Sequence, residues 1–522
     1  MKTESSNIVA GEVRAAAAQS AKRAKKTLTL YNVAILCYVG LGSASYGYAA
    51  AVIGNTVGQP SFIRYFDLDT RSNGDGLIGA MNGLFQAGGF FGALITPWIS
   101  DRWGRKSAIA WGAVWCIVSG AFMAGSVNIG EFILFRFISG LGANLLLAAV
   151  PIWMSEVVPA HFRGSLVYIH SLALGFGYLL SAWIGFGFFF WKTGGSNTWR
   201  PPLALQCVWP LLLLLGLYWI PESPRWLVMK DRSDEAKRIL LRLHANPEDP
   251  DNTFANTEFY QIHEQIALDR HRDSSWRHLF RKPSFRKRCL IAMGTTAIIE
   301  CCGGLVINNY GPILYANLGF SQTKQLLYPA AWLTFATGMN AVGVFIVDFF
   351  PRNRLLAFGV LGCVSVVTIE AAIVANFVPS NNHAALSAAV AVLFLFELFY
   401  GPSIAGTQFC YLGEIFPNHV RAKGVALGVS MISLMNVVWL QAAPTAFKTI
   451  GWKYYLCFII TGGLGGIVIL FYWPDTRGIP LEEIGVLFGD EAEIAVFQAD
   501  IQLDHDTKQI TTHHATVKVD EA

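Results

Sequence analysis

Long charge-free runs alternate along this chain with short clusters of charged residues. Ser107 to Gly130, Phe137 to Ser155, Pro201 to Pro221, Gln325 to Val347 and Gly424 to Phe447 carry no Asp, Glu, Lys or Arg. Each is near or above the roughly 20 residues that a helix needs to cross the hydrocarbon core, and far longer than the about 10 of a barrel strand. In lipid the backbone must satisfy its own hydrogen bonds, so these runs read as helices. The pattern predicts twelve spans: 29–51, 76–99, 107–127, 131–154, 165–191 and 202–220, then 289–309, 326–350, 354–377, 384–411, 422–447 and 452–473.

Between the two sets of six lies a polar insert, Glu222 to Lys287, with amphipathic stretches such as Asp234-Glu-Ala-Lys-Arg-Ile-Leu-Leu-Arg-Leu243 and Glu258 to Ile266. The expected organisation is a cytosolic tail over 1–28, a six-helix bundle over 29–220, a cytosolic linker over 221–288, a second bundle over 289–473 and a C-terminal tail over 474–522. The first thirty residues are polar and rich in Ala, Ser and Lys, unlike a cleaved leader. Lys22, Arg23, Lys25 and Lys26, then Arg102, Arg105 and Lys106, then Arg163, Arg352, Arg354, Arg421 and Lys423 fall in alternate loops. The positive-inside rule then places both termini in the cytosol.

The chain also repeats itself. Asp101-Arg-Trp-Gly-Arg-Lys106 is echoed 247 positions later by Asp348 to Arg354. Glu156-Val-Val-Pro-Ala-His-Phe-Arg163 is echoed 258 positions later by Glu414-Ile-Phe-Pro-Asn-His-Val-Arg421, and Pro221-Glu-Ser-Pro-Arg225 253 positions later by Pro474-Asp-Thr-Arg477. Three offsets near 250 imply a duplicated six-helix unit whose copies share one orientation, the arrangement in which two bundles rock about a midplane site. Asp101, Arg105, Glu156, Arg163, Asp348, Arg352, Glu414 and Arg421 lie at predicted cytosolic helix ends. They are candidates for gating, pairing when that side closes and separating when it opens.

Composition narrows the classes. The chain is 53% hydrophobic and 14% charged, against roughly 25% charged in soluble domains. Its net charge of +4 comes from loop residues, which argues against nucleic-acid binding. Nine cysteines, mostly in apolar runs, suggest packing rather than a disulfide framework, and no metal site is expected. No Gly-rich phosphate loop ending in Lys-Ser/Thr is present, so no ATP chemistry and no cofactor are expected. The expected partners are the lipid bilayer, a small-molecule solute and, where coupling applies, protons.

Several motifs resemble those of the sugar-porter branch of the major facilitator superfamily, and the likeness covers nearly all of the membrane part. Gly47-Tyr-Ala-Ala-Ala-Val-Ile-Gly54 is similar to the family's GYDxxxIG, Arg136-Phe-Ile-Ser-Gly-Leu-Gly142 to RxxxGxG and Pro151-Ile-Trp-Met-Ser-Glu156 to PxYxxE. Trp199-Arg-Pro-Pro-Leu-Ala-Leu-Gln206, Pro221-Glu-Ser-Pro-Arg-Trp-Leu227 and Pro474-Asp-Thr-Arg-Gly-Ile-Pro-Leu-Glu-Glu-Ile484 fit patterns nearly private to this branch. The loop wording is similar to filamentous-fungal hexose and lactose-permease-like members. The resemblance implies an all-α membrane fold, two six-helix bundles with cytosolic linker helices, and transport of a sugar or sugar-like solute by alternating access.

The resemblance also shows where this chain departs. A proton-coupled member carries an Asp on its first helix facing an Arg on its fourth; here Arg136 is kept and the Asp position is Ala49. A cation at that depth costs roughly 3 kcal/mol or more without a partner. Arg136 then either reaches water or Glu131, or meets a substitute carboxylate such as Glu300, or binds an anionic solute. Glu300 stands where the family has the second Gln of QQxxG, and makes both a solute-binding and a proton-coupling candidate. The family's helix-5 Gln falls at Ser171 beside His170, its helix-10 Trp at Phe409, and Asn436 matches a pocket Asn. Asn308, Asn309, Tyr310, Asn340, Gln408 and Gln441 are further polar candidates. Glu370 reads as a structural interhelical bond and Glu397 is open. With the usual amides lost, transport of a secondary metabolite or organic acid stands as an alternative, and a non-transporting nutrient sensor as another.

Overall fold

The computed structural model describes residues 29–512 apart from 159–161, 192–194, 196, 246–248, 250–251, 271, 305, 309–314, 316–319, 378–382 and 504–509. Spans 1 to 5 are the helices Leu30–Val57, Gly74–Trp103, Arg105–Gly125, Ile129–Val157 and Arg163–Phe189. Span 6 runs in two pieces, Arg200–Leu205 and Val208–Leu217, and span 7 is Pro283–Glu300. Spans 8 and 9 are Gln322–Ile346 and Arg352–Phe377. Span 10 is His383–Ser403 continued by Thr407–Glu414, and spans 11 and 12 are Asn418–Thr449 and Tyr454–Tyr472. Eleven helical stretches among the described residues are long and apolar enough to cross a membrane. Span 7 takes the remaining place; Arg286, Lys287 and Arg288 lower the hydropathy of its first turns.

Side-chain chemistry sets several boundaries. The Thr29 hydroxyl accepts from the Asn32 amide at 3.3 Å and starts span 1, and the Asn128 side chain caps span 4 by accepting from Glu131 N at 2.8 Å. Gly104, with φ of 102°, turns the chain between spans 2 and 3, a backbone region that favours glycine. Span 7 is expected to run to 309; its helix is interrupted at 301–303, where Gly303 has φ of 82°, and helical residues recur at 304 and 306–308. Span 10 is likewise interrupted just after Pro402, at 404–406.

The packing repeats with the sequence. Span 1 packs on span 5 as span 7 packs on span 11; span 2 on span 4 as span 8 on span 10; span 3 on span 6 as span 9 on span 12. The two bundles meet where span 2 faces span 11 and span 5 faces span 8, and a shift of six spans exchanges these two seams. Small residues allow close approach within a bundle. A Cβ on Gly47 would lie 2.1 Å from the Leu174 carbonyl, and one on Gly140 would lie 1.9 Å from that of Phe85.

The linker forms helices Pro224–Met229, Ser233–Leu243, Thr253–Asp269 and Trp276–Arg281 on one face of the molecule. Trp226, Leu227, Ala236, Leu240, Ile262 and Ile266 form its apolar cluster. The chain after span 12 crosses this linker. Gln261 donates to Glu483 Oε1 at 2.8 Å, Gln265 to the Glu493 carbonyl at 3.0 Å, and Arg288 pairs with Asp490 at 2.8 Å. Beyond them, Ile501–Leu503 pairs antiparallel with Ile510–Thr512.

Candidate functional site

Between the bundles, residues of spans 1, 4, 5, 7, 8, 10 and 11 line a cavity of about 110 Å³. At about 30 Å³ of liquid volume for each water, it has room for about four, which limits it to a small solute. Helical periodicity presents its walls: Ser171, Leu174, Gly175 and Tyr178 recur three and four apart along span 5, and Trp332, Ala336, Thr337 and Asn340 line the face of span 8. Trp332, Phe396, Tyr400 and Phe409 supply aromatic wall, with the Phe396 and Tyr400 rings stacked at 5.6 Å.

Of the residues singled out from sequence, Ser171, Glu300, Asn308, Asn340, Gln408 and Phe409 line this cavity. Asn309 and Tyr310 lie outside the described residues. His170 stands behind the wall: its Nδ1 is 2.7 Å from Ser43 Oγ and its ring meets Phe409 edge-on at 4.6 Å. Asn436 is fully buried beside Glu300, yet neither atom of its amide makes a well-formed hydrogen bond. Gln441 packs over Gly79 and Gly83 in the seam between spans 2 and 11. Glu370 is buried on span 9 with its Oε2 unpartnered. Reading from sequence passed over Tyr46, Tyr178, Tyr400 and Trp332, and left Glu397 open although it lines the cavity. Tyr178 was within reach, since it follows Ser171 by seven residues on one helix face.

Arg136 is 1% exposed, so it does not reach solvent, and Glu131 instead accepts from Val127 N at 3.2 Å. Its Nη1 donates to the Ala49 carbonyl at 2.7 Å and its guanidinium lies 4.1 Å from the Phe85 ring centroid. That cation–π contact contributes roughly 0.5 to 2 kcal/mol toward keeping the charge inside. Its Nε has no acceptor. The paired hydroxyls of Tyr46 and Tyr178 feel both the Arg136 and the Glu300 charge.

On the linker face the repeated motifs form two matching clusters. Arg105 grips Glu156 with two hydrogen bonds, 2.9 and 3.0 Å, and reaches Asp101 at 3.2 Å. Arg352 pairs with Asp348 at 2.8 Å and Glu414 at 3.6 Å. Ser223 donates to Glu156 at 2.5 Å, and Thr476 to Glu414 at 2.6 Å. Across the bundles Ser165 Oγ donates to Asp348 at 2.5 Å and Arg421 approaches Glu156 at 3.9 Å, while the chain after span 12 takes Arg163 on the Ile479 carbonyl at 3.3 Å and pairs Glu482 with Arg225 of the linker at 2.9 Å. The linker face is therefore closed. Burial of Glu482 opposes its charge, but Arg225 and Arg421 prevail and hold it down to about 2.

A sequence model described as sugar (and other) transporter matches residues 35–488. The chain belongs to the sugar transporter family. Within this family it is 30% identical to the MFS-type transporter criB of Aspergillus cristatus over 457 residues, 87% of this chain and 93% of that one. It is 28% identical to a high-affinity glucose transporter of Kluyveromyces lactis over 486 residues, 89% and 87% of the two chains. The structure of the proton:xylose symporter XylE superposes with a TM-score of 0.77 at 24% identity, over 88% of this chain and 99% of the symporter. The fold is the twelve-helix major facilitator fold of two six-helix bundles, and the protein is a multi-pass membrane transporter of the sugar-porter family.

Proposed function

We propose that this transporter carries a monosaccharide-sized, hydroxyl-rich solute across the plasma membrane by alternating access, with both termini and the linker in the cytosol and with Glu300 binding the coupled proton. The observation that carries the reading is a cavity of about 110 Å³ shared by both bundles and walled by aromatic rings and side-chain amides. Rings cover the apolar faces of a sugar, while amides and carboxyls replace the water around its hydroxyls. The activity named for a similar protein, glucose transport, supports the same solute class.

Glu300 earns its role from place and company. It closes the regular helix of span 7 at the break, lines the cavity, and lies within electrostatic reach of Tyr46 and Tyr178, as does Arg136, which donates to the carbonyl of Ala49 where the family carries an acid. Half-helices that end near the midplane are where transporters of this architecture place solute and ion. Asp101, Arg105, Glu156, Arg163, Asp348, Arg352, Glu414 and Arg421 form the gate, whose bridging contacts part when the solute is released to the cytosol.

Uptake of labelled glucose, xylose, lactose and quinate into proteoliposomes, with and without an inside-alkaline pH gradient, tests this. A monosaccharide should accumulate above equilibrium only with the gradient. Accumulation of lactose or quinate without any monosaccharide would overturn the solute class, and uptake indifferent to the gradient would overturn the coupling.

A further inference from the structure

The cavity is short of positive charge. Two carboxylates line it, Glu300 and Glu397, 7% and 3% exposed, with Tyr400 within electrostatic reach of both. No Lys, Arg or His is among its lining residues, and residues 301–320, some of them undescribed, contain none in sequence. The nearest basic groups stand behind it: Arg136 is engaged with Ala49 and Phe85, and His170 with Ser43. Two buried amides add to the imbalance. Gln408 turns its NH₂ to the Ala405 carbonyl at 3.5 Å and leaves Oε1 without a donor, and Asn340 Oδ1 is likewise unpartnered. Both line the cavity and are 4% and 7% exposed.

A carboxylate this deep in the membrane requires a proton, a cation or strong donors, and a buried acceptor left unmade costs about 1–3 kcal/mol. The geometry points to a solute that brings the missing groups: a sugar-like polyol carrying a protonated amine, its ammonium against Glu397 and its hydroxyls on Asn340 and Gln408. The inference rests on the monosaccharide reading above, in which Glu300 takes the coupled proton. Glu397 then lacks a counter-charge until the solute supplies one. An ammonium offers three donors and no acceptor, which suits a buried carboxylate, while the solute's hydroxyls supply donors to the two unpartnered amide oxygens. A charge-assisted hydrogen bond is worth roughly 1.5–3 kcal/mol, so the amine should bring about tenfold or more in affinity.

Binding of glucose, glucosamine and N-acetylglucosamine to the purified full-length protein by calorimetry, at a pH where the free amine is protonated, tests the inference. Glucosamine should bind about tenfold or more tighter than the two neutral sugars. Glu397→Gln should bring the glucosamine-to-glucose affinity ratio to about one, while Glu397→Asp, which keeps the charge, should hold it above one. Equal affinities in the unmodified protein, or a ratio that survives Glu397→Gln in protein that still melts cooperatively, overturn the inference alone. If none of the three sugars binds, the monosaccharide reading fails and this inference with it.

Discussion

Arg136 and Glu300 are the two residues on which coupling turns. With Ala49 in the acid's place, Arg136 is held by a backbone carbonyl and the face of Phe85, neither of which can gain or lose a proton. Glu300 can, and Tyr46 and Tyr178 lie within electrostatic reach of both residues. An acid returned to position 49 would lie beside the same guanidinium, so Ala49→Asp combined with Glu300→Gln is expected to recover proton-driven accumulation that Glu300→Gln alone loses. Flux assays on the single and double variants check this. Glu300, Ser171 and Phe409 were legible in the sequence because each matches a family motif position, and Asn308, Asn340 and Gln408 because they are polar residues within apolar spans. Glu397 and Tyr46 were not. In a helix buried all round, hydrophobic periodicity does not say which side faces a cavity, and the rotation of spans 1 and 10 is set by packing.

At the scale of elements, span positions followed from hydrophobic length, and the pairing of repeats fixed the two-bundle layout. The breaks after Glu300 and Ser403 did not follow, since an apolar run through Gly303 or Pro402 reads the same whether the helix continues or stops. Both breaks border the cavity, and residues on either side of each line it. Helix contacts inside each bundle depend on small residues rather than on apolar burial, because lipid is as apolar as leucine. Gly140→Ala would drive a methyl into the Phe85 carbonyl, 1.9 Å away. Its expected cost is about 1–3 kcal/mol, read as a lower melting temperature in detergent. Gly187→Ala, with nothing within 4 Å of the new Cβ, should leave that temperature unchanged or higher.

At the scale of the molecule, the closed linker face ties both bundles to the linker and to the chain after span 12. Burial raises Glu483 in that strap to about 7, against hydrogen bonds from Gln498 N and Gln261. A carboxyl whose docked value lies above its free value near 4.5 stabilises docking fully at acidic pH. That contribution is lost as pH rises through about 7. Glu482 beside it, held down to about 2, stays charged throughout. Hydrogen exchange of residues 484–500, corrected for intrinsic rates, should quicken several-fold between pH 5.5 and pH 8, and Glu483→Gln should flatten the difference; equal protection at both pH values in the unmodified protein would contradict the assignment. Alternating access itself requires that the proton and solute bound between the bundles decide when this face opens. Comparing Glu300→Gln with the unmodified protein in proteoliposomes tests that most directly, with gradient-driven accumulation and solute counterflow measured on the same preparation. Loss of accumulation with counterflow retained is the expected result. Undiminished accumulation by Glu300→Gln would contradict it.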